Sequence, residues 1–396
     1  MNPNRRAPYN VNVPRNHLAI AARSVLAAFV FLAASPARSS AEPALVAAGS
    51  FPVLRVQLQT GNLTIRTWNR DQVAIDTQGR VNWQLFDVAT VANTLRGQIP
   101  APAETLTAKN GATASLPYEV FQMPTLSGGG HEAVIVGGSG DTTITLPAGA
   151  AFIFASVGRG SVDVQGYRGG FFTAVRNGGV QLRDVSGSGF VQVLRGPIAA
   201  YDSTFDRLRV RNGVGNMFFA RCTSTQIEAT SLFGNIVYDN GSFTPGLARF
   251  ETLYGNVALG VGNGGAQIGA HSNAGRVETS FNSSASVANR DGGAQAVVGG
   301  GGAHVTASSQ HGSVLLYDGT LSDHPSLVQS HPGMGAVYRR ANAAGGLRPI
   351  TPARGAPAGR FAPSARPHFA PATGRPRGVP PARSVPAAPR PAHPPM

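Results

Sequence analysis

A glycine followed by alternating apolar residues recurs through the middle of this chain, and that period limits the fold more than any other feature. It reads Gly160-Ser161-Val162-Asp163-Val164 and shortens to Gly179-Val180-Gln181-Leu182. It returns as Gly215-Asn216-Met217-Phe218-Phe219, Gly234-Asn235-Ile236-Val237-Tyr238 and Gly255-Asn256-Val257-Ala258-Leu259. Later copies are Gly275-Arg276-Val277 and Gly312-Ser313-Val314-Leu315-Leu316. The starts at 160, 179, 196, 215, 234, 255 and 275 are spaced 19, 17, 19, 19, 21 and 20 apart, with Gly196-Pro197-Ile198 a weak copy. The step from 275 to 312 is 37, near two periods.

Alternation with period two places Val162 and Val164 on one face and Asp163 on the other. The leading glycine supplies a corner. One unit is too short to bury its own apolar face, so successive units must stack at the strand spacing of about 4.8 Å. The expectation is an all-β chain, a single-stranded right-handed β-solenoid with coils of 19–20 residues. Second strands are expected at Phe172–Val175, Phe190–Val193, Leu208–Val210, Gln226–Ala229 and Ala248–Phe250.

Gly160, Gly179, Gly215, Gly234, Gly255, Gly275 and Gly312 are read as structural repeat positions, and so are Asn216, Asn235 and Asn256. The three asparagines share one repeat position. Two readings are open for them: a stacked side-chain ladder, or tolerance of a turn conformation. Phe172, Phe190, Phe205, Phe233 and Phe250 recur at loose coil spacing. They fit a stacked aromatic core or an exposed strip for sugar rings.

Charge divides the chain. Residues 1–41 carry five Arg and no acid, 339–396 carry ten Arg and no acid, and 42–338 carry 18 basic and 19 acidic groups. The basicity is terminal, and a near-neutral body argues against specific nucleic-acid binding. Arg5, Arg6 and Arg15 precede the apolar stretch Leu18–Ala34 and small residues up to Ala41, which predicts a cleaved secretory signal over 1–41. No transmembrane segment is expected after cleavage, and the destination is periplasm, cell surface or medium. Cys222 is alone, so no internal disulfide or cysteine metal site is expected.

The remaining boundaries are 42–82 for N-terminal strands of the solenoid, 83–131 for an insertion or cap, 132–320 for the repeats, and 321–340 for a linker. Within 83–97, Leu85, Val88, Val91, Ala92 and Leu95 have helical spacing. From 341 to 396 strand periodicity is lost. Fourteen of 29 prolines fall at 349–395, so a disordered basic tail is expected. It reads as an anchor to anionic polymers or as a plain spacer.

The N-terminal strands carry a family resemblance. Val53–Leu58, then Thr60-Gly61-Asn62, Leu63–Thr67, Trp68, Asp71 and Val73–Ile75, followed by Gly-x-Val coils, resemble the bacterial putative-adhesin family of β-solenoid domains. The run Gly299–Gly302 with Ala303-His304-Val305 and Gly312-Ser313-Val314 looks like that family's last coils, so the likeness spans roughly 50–318. It supplies no catalytic residue to carry over.

Chemistry-bearing motifs are sparse. His131-Glu132 lacks a second His for a zinc-protease helix. Gly137-Gly138-Ser139-Gly140-Asp141 is one imperfect copy of a calcium nonapeptide. Gly260-Val261-Gly262-Asn263-Gly264-Gly265 has no helix to open, Lys109 follows no phosphate loop, and His304, His311, His324 and His331 are dispersed. No catalytic residue, cofactor or metal is expected. The reading is an exported, non-enzymatic β-solenoid with an adhesin or cell-envelope scaffold role. Its partners are envelope or glycan polymers, bound through its repetitive outer faces. The alternative is a polysaccharide-binding or polysaccharide-cleaving β-helix protein, which needs clustered carboxylates. Asp184 and Asp202 with Arg183 come nearest, although their repeat offsets differ. A filament former stacking end to end is a third reading.

Overall fold

The computed structural model describes residues 43–87, 104–107, 111, 113–116 and 132–345, apart from 48, 50, 51, 263, 282–284 and 291. The expected signal at 1–41 lies outside them, as do His131, Lys109 and the tail beyond 345.

The described chain is predominantly β, with 22 strands in one large mixed sheet and a separate two-stranded sheet, Glu104–Thr107 with Thr113–Leu116. Most pairings belong to two parallel ladders. In the long ladder Phe154 pairs with Phe172, Phe172 with Phe190, Val191 with Val210, Val210 with Ala229, and Ala229 with Phe250, at offsets of 18, 18, 19, 19 and 21 residues. In the short ladder Val162, Val180, Ile198, Met217, Ile236, Val257 and Val314 pair in series. Their side chains, and those of Val164, Leu182, Ala200, Phe219, Tyr238, Leu259 and Leu316, point into one continuous buried core. The period-two alternation therefore predicts the inward face correctly.

A column of glycines joins the two ladders. A Cβ on Gly178 would run into the carbonyl of Gly160, one on Gly196 into Gly178, one on Gly215 into Gly196, and so on through Gly234 and Gly255 to Gly312 and Gly275. Backbone passes so close to backbone that only glycine fits. Gly178 and not Gly179 belongs to this column. Gly179 occupies the next position, where a Cβ would meet Pro197. Gly196 is a full member despite its weak motif. In the adjoining column the asparagine oxygens bridge layers: Asn216 Oδ1 accepts from Asn235 N at 2.9 Å, Asn235 Oδ1 from Asn256 N at 2.8 Å, and Asn256 Oδ1 from Ser313 N at 2.7 Å.

Stacking order departs from chain order at both ends. Strands Ala303–Ser309 and Val314–Asp318 insert between 247–261 and 266–280. Strands Val53–Thr60 and Leu63–Trp68 likewise lie between 132–147 and 152–165. Each outer layer is then covered by an antiparallel strand: Val73–Asp87 on 132–145 at one end, Gly293–Val298 on 266–271 at the other. The helix expected from residue 83 is replaced over 83–87 by strand, with Trp83 opposite Val136 and Leu85 opposite Val134. Hydrogen bonding along an open sheet edge prevails over the helical spacing, whose continuation at 88–97 lies outside the described residues.

The segment expected as a linker also folds. After a 3-10 turn at Leu321–Asp323 come helices α1 (Pro325–Ser330) and α2 (Pro332–Gly345). Leu321, Leu327, Met334 and Val337 are buried against Tyr201, Phe218, Val237, Ala258 and Leu315, the outward residues of the short ladder. The apolar outer strip requires a cover, and α2 runs past the expected boundary at 341 to Gly345.

Candidate functional site

The outer face of the long ladder changes character along one row of cross-strand neighbours. It runs Phe154, Phe172, Phe190, Arg209, Glu228, Arg249, Thr306, Gly269, Gln295. The aromatic part is buried with Phe152, Ala133 and Val53, and Phe172 stacks on Phe190 with centroids 5.4 Å apart. Beyond it, Arg209 bonds Glu228 at 3.0 Å. At the far end the face sinks into a trough of two adjoining lobes, about 400 and 300 Å³, which share Gly269, Gln295 and Thr306.

Each wall of the trough comes from regular alternation on paired strands. One flanking row is Leu247, His304, Gln267 and Val297; the other is Glu251, Ser308, His271 and Gly293. Arg249 and Glu251 form an exposed ion pair at 3.7 Å, and His271 Nε2 lies 2.6 Å from Asn273 Oδ1. The trough is therefore balanced in charge and lined by more apolar than polar surface, with aliphatic Leu247 and Val297 exposed at its margin. The sequence reading missed it. Its available signal was Gly269 in the middle of the alternating strand Ala266–Ser272.

A second feature follows the short ladder's corner. Asp184, Asp202, Arg221 and Asn240 all adopt left-handed backbone, φ 51°, 51°, 53° and 48°. Counted from the true column glycines, Asp184 and Asp202 are both six residues on, so they stack as neighbours, which counting from Gly179 concealed. Arg221 grips Asp202 with two bonds, Nε to Oδ1 at 2.6 Å and a terminal nitrogen to Oδ2 at 2.8 Å, and Arg168 stands 3.5 Å from Asp184. The Asp202 bond in turn pushes the Arg221 guanidinium upward. This corner is an exposed ion-pair ladder in which both Asp202 oxygens are engaged.

The buried polar cluster lies elsewhere. Asp239 Oδ1 accepts from Tyr317 OH at 3.0 Å and from Leu321 N at 2.8 Å. Burial raises its carboxyl from 3.8 to about 6, against the opposing effect of those two hydrogen bonds. His324 sits between Ser280 Oγ (2.9 Å to Nδ1) and the Asp318 carbonyl (2.7 Å to Nε2). Together these contacts fasten the turn before α1 to the sheet. A further depression of about 550 Å³ opens beside α2, lined by Pro197, Ala199, Tyr201, Phe218, Val337 and Arg340.

Other motifs find structural places. Asp141 Oδ1 accepts from Asn62 N at 2.7 Å, joining the corner bridges. His311 stacks on Tyr254 at 4.4 Å, and His331 Nε2 is 3.8 Å from Glu278. Cys222 is buried and its thiol is pushed up to about 12 by desolvation. Among the described residues no three His, Cys, Asp or Glu side chains gather as a metal site. The five repeating phenylalanines are all buried but do not form one column. Phe205 and Phe250 lie in the main core, Phe172 and Phe190 in the outer aromatic cluster, and Phe233 against Tyr254. The exposed aromatic strip is corrected accordingly. Among the described residues no helix is long and apolar enough to cross a membrane.

No family model matches the chain, and a search of curated proteins finds no match. A solved structure that it resembles is that of a putative cell adhesion protein from Clostridium sporogenes, 11% identical, covering 70% of this chain and 100% of that one at a TM-score of 0.22. At that score the likeness carries no argument about fold or role.

Proposed function

We propose that the chain is an exported, non-enzymatic β-solenoid of the adhesin-like or envelope-scaffold type. It binds envelope or glycan polymers through its outer faces. The observation behind this reading is the in-register stacking of Met217 on Ile236 on Val257 over one buried core. Such a stack is a stiff body whose outward positions repeat at the strand spacing of about 4.8 Å, a lattice suited to polymers with many weak contacts. Right-handed winding, single-strandedness, export through 1–41 and anchoring by the arginine-rich tail are parts of the same proposal.

The cleaving alternative is not favoured. A glycosidase needs two available carboxylates flanking the bond to be cut. Asp202 is gripped by Arg221, and Asp239 is buried beneath the turn at 321–323. The test is co-sedimentation of the full chain, and of a form ending at Gly345, with purified cell-envelope fragments. Binding by both supports the outer faces; binding by the full chain alone assigns the affinity to the tail. Absence of binding by either overturns the proposal.

A further inference from the structure

Gly269 is a glycine that the fold does not require. The corner glycines would drive a Cβ into a neighbouring carbonyl, whereas a Cβ on Gly269 would meet only Thr306 Cγ2, at 4.0 Å, and its φ is outside the left-handed range. A mid-strand glycine sacrifices packing and chain entropy. Where neither backbone nor neighbour demands it, the bare position points to close approach from outside. It lies at the floor of both lobes of the trough.

The surroundings select the occupant. Every strand beneath the trough is hydrogen-bonded on both edges, so no edge is open to an added peptide strand. Arg249 already faces Glu251, so an anionic polymer gains little from it. What remains is an array of amides, an imidazole and a hydroxyl on Gln267, Gln295, His304 and Ser308, while Thr306 Oγ1 bonds the Ala248 carbonyl at 3.3 Å and His271 Nε2 is engaged with Asn273. These groups donate and accept in pairs and suit vicinal hydroxyls on an uncharged chain. The lobes fall at the lower end of the volume range of ligand sites, roughly 300–1,000 Å³.

We propose that this trough is a saccharide site, taking a neutral glycan laid over the bare backbone of Gly269. The inference rests on the reading that the outer faces bind glycan polymers, and narrows it to one place and one chemical class. The test is calorimetric titration of the full chain with cellohexaose, xylohexaose, chitohexaose and maltohexaose, and with hexagalacturonate as the anionic comparison. At least one neutral hexasaccharide is expected to bind with little dependence on salt. Gly269→Val, which fills the floor with a strand-favouring side chain, is expected to melt no lower and to lose roughly tenfold or more in affinity. A Gln267→Ala/Gln295→Ala variant, which leaves the backbone untouched, is expected to lose affinity to a similar degree. The proposal fails if no neutral hexasaccharide binds, if both variants bind as well as the parent, or if only hexagalacturonate binds and salt abolishes it. Envelope sedimentation separates the two readings. If parent and Gly269→Val chains sediment equally, the trough is wrong and the wider role stands; if the parent does not sediment, the wider role is wrong.

Discussion

Replacing Asp239 by Asn should stabilise the protein at neutral pH. Asp239 is 4% exposed and offers Oδ1 to Tyr317 OH and Leu321 N, two donors about eighty residues further along the chain. Burial raises its carboxyl from 3.8 to about 6. The folded state therefore holds a proton that the unfolded chain releases. The resulting stability is fully present below 3.8 and is lost as pH rises through about 6. A difference of 2.2 units at 1.36 kcal/mol each gives about 3 kcal/mol as an upper figure, or ~1–3 once local relaxation is allowed. Asparagine keeps the accepting oxygen and removes the charge. Asp318, His324, Asp323, Arg221 and the Glu278–His331 pair also lie near this turn, so the variant must be compared with its parent at each pH. The assay is native-state hydrogen exchange of peptides spanning 317–345 at several pH values between 4 and 8. Greater protection of Asp239→Asn at pH 7.5, fading to parity near pH 4, is expected. Equal protection at every pH, or a loss at pH 7.5, refutes the reasoning.

Gly196→Ala should lower stability by roughly 2–4 kcal/mol, because φ is +146° and the new Cβ meets the Gly178 carbonyl. Gly269→Ala should leave the melting temperature unchanged or raise it, so one thermal series checks both. Asn235→Ala breaks the bridge to Asn256 N and should cost about 1 kcal/mol, which Asn235→Asp recovers in part, by urea titration. Phe172→Ala, in the middle of the outer aromatic stack, should cost about 3–5 kcal/mol. Met334→Asp should undock α2 and uncover Phe218, Val237 and Leu315, read as increased binding of an apolar fluorescent dye.

The period, the strands and the inward face were legible because they depend on local alternation. The register was legible to within one residue. Gly178-Gly179 offers two glycines for one corner, and only the approach of the neighbouring backbone decides between them. That single shift separated Asp184 from Asp202 on paper, although they are neighbours in space. The helices at 321–345 went unread because Gly333, Gly335 and several Ser and His dilute their pattern. The better signal lay in the strands they cover. Phe218, Val237, Ala258 and Leu315 are apolar where alternation assigns solvent, and strands apolar on both faces imply a second layer.

Chain order at the ends was not legible for a different reason. Spacing says that segments stack, but not which edge a segment finds free. The edge of 247–261 takes 303–318, which follows 266–280 in the chain yet lies between the two in the sheet. The arrangement has a physical logic. A winding that simply continued would finish on an open parallel edge, the usual template for unwanted pairing. Here instead Gly293–Val298 covers the outer strand in antiparallel fashion and is itself paired by Ser286–Arg290, to which it is joined by a two-residue turn. The opposite end reaches the same solution with Val73–Asp87 on 132–145. The trough over Gly269 exists only because of that reversal. Gln295 reaches the row beside Gly269 and Thr306 from the antiparallel strand, so the strand that covers the last parallel edge also completes the proposed saccharide floor.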